Sequence, residues 1–378
     1  MRDRLARLPT SPGVYRFRDA DDRVLYIGRA TSLRGRVGSY WSDLRERDHL
    51  APMVARIERI EAVVTDSVHE AAWLERNLLE AALPPWNRTP GGQETVVYIR
   101  MDERPAAPGL TVEHLVLPGD DARYFGPYLG GLRTRQAASA LGRIFPLSAT
   151  GTRLRGAQLD IARVRGGPGA DGRVLARRIA AVLERQPAAV AAARAALEQL
   201  RDQAAGALAF ELAGRLQGEI QALDWTTSAQ RVTAMDASDF DAGGWCDGML
   251  VCFGIRGGRL CRWSQRSCSR AGAAPQLAAT PVPWARFARR TAELAAALAH
   301  APLRVARRVR RRGACSVWSA AVSREPARCS PAWEPGRSLS RPPGRRAPGR
   351  CRGQPAPARA ARPRRCRAAP PAGHVPCR

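Results

Sequence analysis

Three tyrosines, two arginines and one glutamate, Tyr15, Tyr26, Tyr40, Arg29, Arg36 and Glu75, form the reactive set of this chain's first quarter. Tyr26 and Arg29 lie in LYIGRATSLRGR, residues 25–36, where an apolar run ends in a tyrosine and a glycine and an arginine-bearing stretch follows. Arg36 and Tyr40 are four apart, as are Leu33 and Val37, so on a helix each pair shares a face. Glu75 lies in VHEAAWLERNLLEAAL, residues 68–83. At about 100° per residue from Ala71, the residues Leu74, Leu78, Ala82 and Leu79 fall in one apolar arc of about 140°. Glu75 falls inside that arc, and Glu80 falls on the far side at about 180°. An inward carboxylate needs a partner, either an arginine in a structural ion pair or a metal ion. No histidine joins the set, and no Ser–His or Cys–His pair does, which argues against acyl transfer. Arginine with a carboxylate and a hard metal suits phosphate.

The elements that must hold these residues can be read from the pattern. GVYRFR, 13–18, alternates as a strand, Asp19 to Asp22 make a turn, and Val24 to Gly28 read as the second strand of a hairpin. Thr31 or Ser32 caps a helix running to about Tyr40. The pattern predicts a helix over 50–60, a strand over 62–65 and an amphipathic helix over 68–83 that Pro84 and Pro85 stop. This predicts a small α+β unit over 1–95, a three-stranded sheet flanked by helices. An extension, 96–149, holds strands over 96–101 and 111–117, the stretch YFGPYLGG and a helix over 132–144. A Gly- and Arg-rich linker, 150–172, leads to Ala-rich helices over 173–186 and 188–224, the second breaking near Ala205–Gly206 into a helical hairpin. A small β-hairpin and helix region, 231–300, follows, with its turn at Gly257–Gly258 and its helix over 284–299.

Composition bounds the class. The 378 residues suffice for two or three small domains. The net charge of +27 is concentrated late: 20 of the 61 basic residues lie beyond residue 300 against two acids, so bulk charge says little about the rest. The chain has no lysine, so arginine at any one position carries little meaning by itself. All nine cysteines lie at or beyond Cys246 without a CxxC pair, which does not suit zinc. There is no long apolar run and no leader-like segment, so a cytoplasmic protein with no membrane partner is expected. From about Pro302 the composition turns to Arg, Pro and Cys with almost no large aliphatics. Residues 301–378 read as a basic disordered tail or the product of a shifted frame.

Gly13–Val14–Tyr15 and, eleven residues on, Tyr26–Ile27–Gly28 resemble the motif of the GIY-YIG nucleases. Arg36, Tyr40, Glu75 and Asn87 fall where that family places its remaining motif residues. PTSPGVYRFRD, LYIGRATSLRGRVGSYW, LERNLLEAALPPWN and RYFGPYLGGLRTRQAASALGRIFPL are similar to the N-terminal part of UvrC, the incision subunit of bacterial UvrABC excision nucleases. The resemblance implies that Glu75 holds one Mg²⁺ or Mn²⁺ against a phosphate oxygen. It implies that Tyr26, assisted by Tyr15, activates water, that Arg36 stabilises charge on the phosphate, and that Tyr40 orients water or phosphate. Arg29 and Arg34 bind the DNA backbone in this reading, while Gly13, Gly28 and Asn87 are structural. Trp86 replaces the family's usual tyrosine, and RTPGGQET replaces its lysine-rich segment, which touches DNA contact more than catalysis.

Residues 198–223 resemble the UVR motif, a helical hairpin that engages UvrB, with Phe210, Leu216 and Ile220 in the matching apolar pattern. The cysteine cluster of UvrC is missing, so no iron–sulfur cluster is expected. Neither the acidic triad of its ribonuclease H-like domain nor its helix-hairpin-helix pair is found. Damaged double-stranded DNA and a UvrB-like protein are the implied partners, and a 3′-type incision is the implied reaction. Two readings compete: a non-catalytic adaptor that binds UvrB or DNA, and a stand-alone GIY-YIG nuclease of a mobile element.

Overall fold

The computed structural model describes residues 2–42, 48–91, 94–164, 166 and 170–299. The chain begins with α1 (Arg2–Arg7), β1 (Gly13–Arg18), β2 (Val24–Ala30), α2 (Leu33–Ser42), the short α3 (Ala51–Val54), β3 (Arg59–Val64) and α4 (Val68–Ala81). The expected helix over 50–60 is only this one turn, because Arg59 and Ile60 already pair with Arg18 and Phe17 in the sheet. The first sheet is antiparallel in the order β2-β1-β3. The helix α2 packs on the face that carries Tyr15, Phe17 and Ala62, whereas α4 packs on the face of Val14, Ile27 and Val63.

Two more three-stranded sheets follow. The strands β4 (Val96–Asp102), β5 (Gly109–Glu113) and β6 (Arg123–Leu129) form the second, with α5 (Gly131–Ile144) against it. Here YFGPYL of that stretch lies in strand β6, which its Gly-Pro interruption hid from the sequence pattern. The stretch 150–172 is not all linker, since it contains α6 (Ala157–Val164). Next come α7 (Gly172–Leu183) and the hairpin of α8 (Pro187–Gly206) and α9 (Phe210–Thr227), broken where expected. The third sheet holds β7 (Phe240–Cys246), β8 (Met249–Arg256) and β9 (Arg259–Ser267), followed by α10 (Arg270–Ala278) and α11 (Val282–Ala299). The turn at Gly257–Gly258 is as expected, whereas β7 and α10 are additions. The tail beyond residue 300 lies outside the described residues. Among the described residues no helix is long and apolar enough to cross a membrane.

The first and third sheets share one core. Val14, Ile27, Val63 and Leu74 pack in the same cluster as Phe253, Trp263, Phe287 and Ala292. A buried charge marks the contact: Arg16 pairs with Glu61 across β1 and β3, and its Nη1 donates to the Trp263 carbonyl at 2.7 Å. Its guanidinium lies 3.9 Å from the Trp263 ring centre. Glu61 also takes Arg18 at 2.9 Å and Arg59 at 3.1 Å. Burial lowers Arg16 to about 10, so it stays charged at neutral pH. Burial would raise Glu61, but Arg16 and Arg18 outweigh it and hold the carboxyl below its ordinary value.

The helix α4 is therefore covered on both sides. Asn77, on its far face, donates to the Val232 carbonyl at 3.0 Å and to Thr233 Oγ1 at 2.9 Å, and accepts from Arg259 at 2.8 Å. His69 carries a further link, lying 4.2 Å from the Trp225 ring of α9 and accepting from Trp73 Nε1 at 3.1 Å. Burial, with Arg185 and Arg133, pulls His69 down to about 3, so it is a neutral acceptor at physiological pH. Because Glu61 is held in its charged form, Glu61→Ala strands a buried guanidinium and is expected to cost about 3–5 kcal/mol at neutral pH. The folded pKa lies below the ordinary 4.5, so the pair's contribution is full above that value and fades as pH falls through the folded pKa. The gap between wild type and variant in urea unfolding should accordingly narrow in acid.

Candidate functional site at the edge of the first sheet

Strand β2 is an edge strand, so its outward backbone groups need partners from elsewhere. The segment after α4 supplies most of them. Trp86 N donates to the Leu25 carbonyl at 3.2 Å. Asn87 takes both groups of Ile27, accepting from its N–H at 2.9 Å and donating to its carbonyl at 2.8 Å. Glu75 takes the next free donor, with Oε1 accepting from the Arg29 N–H at 3.0 Å. One residue on α4 and two on the following loop thus seal the edge, and Glu75 is thereby fixed beside the strand that carries Tyr26.

The phenols approach from the other face. Register places Tyr15 opposite Gly28 on one side and Ala62 on the other. A Cβ on Gly28 would lie 2.6 Å from the Tyr15 hydroxyl and 2.7 Å from a Tyr26 ring atom, so this glycine is the space the rings occupy. Gly13 serves a different contact: a Cβ there would lie 2.2 Å from the Val63 carbonyl oxygen. Ser32 caps α2 through Gly35 N at 3.4 Å, and that helix brings Leu33, Val37 and Tyr40 into the core. The hydroxyls of Tyr15 and Tyr40 are 2.9 Å apart, and Tyr40 is within hydrogen-bonding reach of Tyr26. Arg36 reaches Tyr15 from the exposed face of α2 and lies 5.8 Å from the Tyr40 ring centre. The result is a chain of polar groups, Tyr26–Tyr40–Tyr15–Arg36, of which Tyr15 and Tyr40 are buried and Tyr26 is half-buried.

Electrostatics sets the resting state. Burial, then the neighbouring phenols, pushes Tyr15 well above the ordinary 10.0. Tyr26 is pushed up by burial, by Tyr40 and by the charge of Glu75, while Arg36 opposes the rise. Both phenols are neutral at pH 7. Glu75 is 21% exposed, and burial raises its carboxyl, against Arg29 and its N–H. Its second oxygen lies 3.3 Å from Arg29 Nε.

Residues 11–88 match the family model described as the UvrC-like GIY-YIG domain. The site belongs to that family. Over 147 residues the chain is 42% identical to the UvrABC system protein C of Geobacter metallireducens, a match covering 39% of this chain and 24% of that protein. Longer matches at 31% and 30% identity join it to the proteins of the same name from Symbiobacterium thermophilum and Chlorobium chlorochromatii. These cover 64% and 68% of this chain and 39% and 44% of those proteins. The chain thus spans less than half the length of the curated relatives it matches.

Of the six residues of the expected cluster, Tyr26, Arg29 and Glu75 lie at this edge, whereas Tyr15 on β1 and Arg36 and Tyr40 on α2 stand behind it; Asn87 does more than shape its turn, since it clamps β2. Arg34 stands apart: its Nε donates to the Leu8 carbonyl at 2.7 Å and ties α1 to α2. Of the residues expected to meet a partner, Phe210 is 68% exposed, but Leu216 and Ile220 are buried. They face the core shared by α5, α8 and α9, so the apolar periodicity that selected them is packing. Leu208, 74% exposed with a positive φ at the hairpin turn, joins Phe210 at the tip instead. The sequence reading missed Glu94 and Arg76, which line the same cleft of about 280 Å³ as Arg29 and Glu75. No periodic signal marks a lone glutamate after a Gly-rich loop. Gly28→Ala should drive the Tyr15 and Tyr26 rings apart and cost about 1–3 kcal/mol in thermal unfolding. The Tyr15–Tyr40 contact should be lost from the tyrosine ring signals in NMR.

Proposed function

We propose that this chain is a metal-dependent DNA endonuclease, hydrolysing a phosphodiester in the 3′-type incision of a UvrABC-like excision repair. The observation that carries the reading is the meeting, at the outer edge of β2, of one half-buried carboxylate with three linked phenols and a guanidinium. That the relatives are UvrABC system proteins supports this setting, in which damaged duplex DNA and a UvrB-like partner are part of the proposal.

The donor set fits a hard divalent ion that draws most of its ligands from water and phosphate. Among the described residues no group of three or more His, Cys, Asp or Glu could enclose a metal. One carboxylate beside an open cleft suits Mg²⁺ or Mn²⁺, which is commonly held by one or two carboxylates plus substrate oxygens. Glu75 would hold the ion, and the ion would supply Lewis acidity at a phosphate oxygen. Burial has already stripped water from Glu75 and raised its carboxyl, so a cation is a favourable exchange for the lost hydration.

Tyr26, once its own proton is lost to solvent, takes the proton of the attacking water as the phenolate. It is the least buried of the linked phenols, and it stands where the Glu75 charge acts on it. Once that charge is neutralised, one of the three influences holding the phenol protonated is gone, and Arg36 favours the phenolate. Tyr40 and Tyr15 stabilise the ionised oxygen through the hydrogen-bond chain, and Arg36 at the exposed end faces the phosphate charge. The exposed pair Leu208 and Phe210 at the tip of the α8–α9 hairpin supports docking of a UvrB-like protein.

The test is cleavage of a nicked or lesion-bearing duplex in Mg²⁺, with and without UvrB. Glu75→Gln keeps an acceptor for the Arg29 N–H, so it should fold normally and lose cleavage; equal cutting by the variant would discard the catalytic assignment of Glu75, and no cutting by the wild type would favour the adaptor. Tyr26→Phe should cost roughly 10²- to 10⁴-fold in kcat. Because the Tyr26 phenol titrates above its ordinary 10.0, wild-type kcat should climb as pH rises from neutral, and the variant should lose that slope. Phe210→Ala should abolish UvrB pulldown without touching UvrB-independent cutting; an unchanged pulldown would remove Phe210 from the docking surface, and no pulldown by the wild type would favour the stand-alone nuclease.

A further inference from the structure

The guanidinium expected to meet DNA is already filled by a carboxylate of the chain itself. Arg29 Nη1 donates to Glu94 Oε2 at 3.2 Å and Nη2 donates to Glu94 Oε1 at 3.0 Å. This is the fork-on-fork arrangement in which arginine also takes two oxygens of a phosphate. The Glu94 main chain is anchored separately, its carbonyl accepting from Arg76 Nη1 at 2.6 Å. The Arg29 Nε, pointing the other way, keeps its 3.3 Å contact with Glu75. Arg29 is therefore strung between two carboxylates in one cleft, and both Arg29 and Glu94 remain open to solvent, at 38% and 43% exposed.

We propose that Glu94 is a positioning residue that mimics substrate: its carboxylate marks the place on Arg29 where a backbone phosphate of the DNA sits, and the phosphate must displace it. This rests on the nuclease reading. A single guanidinium fork cannot hold both anions, and the two repel each other. Displacement costs the enzyme one ion pair and returns an equivalent one to the substrate, so a ligand gains on this arginine only if it presents a phosphate at that spot. A strand lying loosely across the surface gains nothing there. Because Arg76 grips the Glu94 carbonyl rather than its carboxylate, the side chain is free to swing while its backbone stays held.

A binding cycle tests this on the full chain, using a fluorescein-labelled nicked duplex, Ca²⁺ in place of Mg²⁺ and fluorescence anisotropy. Glu94→Gln should tighten binding about 2- to 5-fold, the worth of one exposed ion pair released to the ligand. In an Arg29→Ala background the same substitution should leave affinity unchanged. Equal tightening in both backgrounds would reduce Glu94 to a through-space charge, and unchanged or weakened binding would remove it from the phosphate's path; either overturns the proposal. So would a cleavage defect in Glu94→Gln that excess Mg²⁺ restores, since Glu94 would then serve the metal. The cycle reads binding alone, so it stands even if the wild type cuts nothing, in which case only the nuclease reading falls. Failure of every variant to bind the duplex overturns both.

Discussion

The unpaired backbone edge of β2 is the constraint on which the site depends. A strand at the rim of a sheet leaves N–H and C=O groups that must find partners or water. Here Trp86 and Asn87 seal two positions, and the carboxylate of Glu75 seals a third. The same bonds that finish the sheet place the acid beside Tyr26. A residue that looks catalytic is thus also structural, and its geometry is fixed before any ligand arrives.

That precision needs a rigid support behind α4. The far face of the helix is bound to the third sheet through Asn77, and the back of the first sheet is locked to Trp263 by the Arg16–Glu61 pair. A helix gripped on one side only can roll, and a roll of one residue's arc would carry Glu75 away from the Arg29 N–H. His69, with its ring 4.2 Å from that of Trp225, ties the same helix to the α8–α9 hairpin. The third sheet and the hairpin are remote from the phenols in sequence, yet they hold the helix on which the candidate acid stands.

The charges at the edge are balanced rather than merely gathered. The free site keeps its phenols neutral and raises its carboxyl, and its best-placed guanidinium is occupied from within. Each of these features is reversed by what the proposed reaction brings, a cation at Glu75 and a phosphate at Arg29.

Much of this was legible in the residues. The alternation of GVYRFR and VLYIGRA, the four-residue spacing of Arg36 and Tyr40, and the inward angle of Glu75 follow from the periods of strand and helix, which are local properties of the chain. So the first sheet, α2, α4 and the cluster of tyrosines, arginines and one acid could be read before any fold was seen. What lay beyond reach depends on groups far apart in sequence. Strand β6 was hidden because its glycine and proline break the alternation, and the one-turn α3 gave way to a longer β3 because pairing with β1 outweighs helical propensity. Leu216 and Ile220 were misread as partner-facing because an apolar period says only that a face is buried, not by what. Local periodicity sets which residues can share a face; that Asn87 and Glu75 close the edge of β2, that the far side of α4 is covered and that Glu94 sits on Arg29 follow from packing between distant segments, since each is a contact whose loop-closure cost no local pattern records.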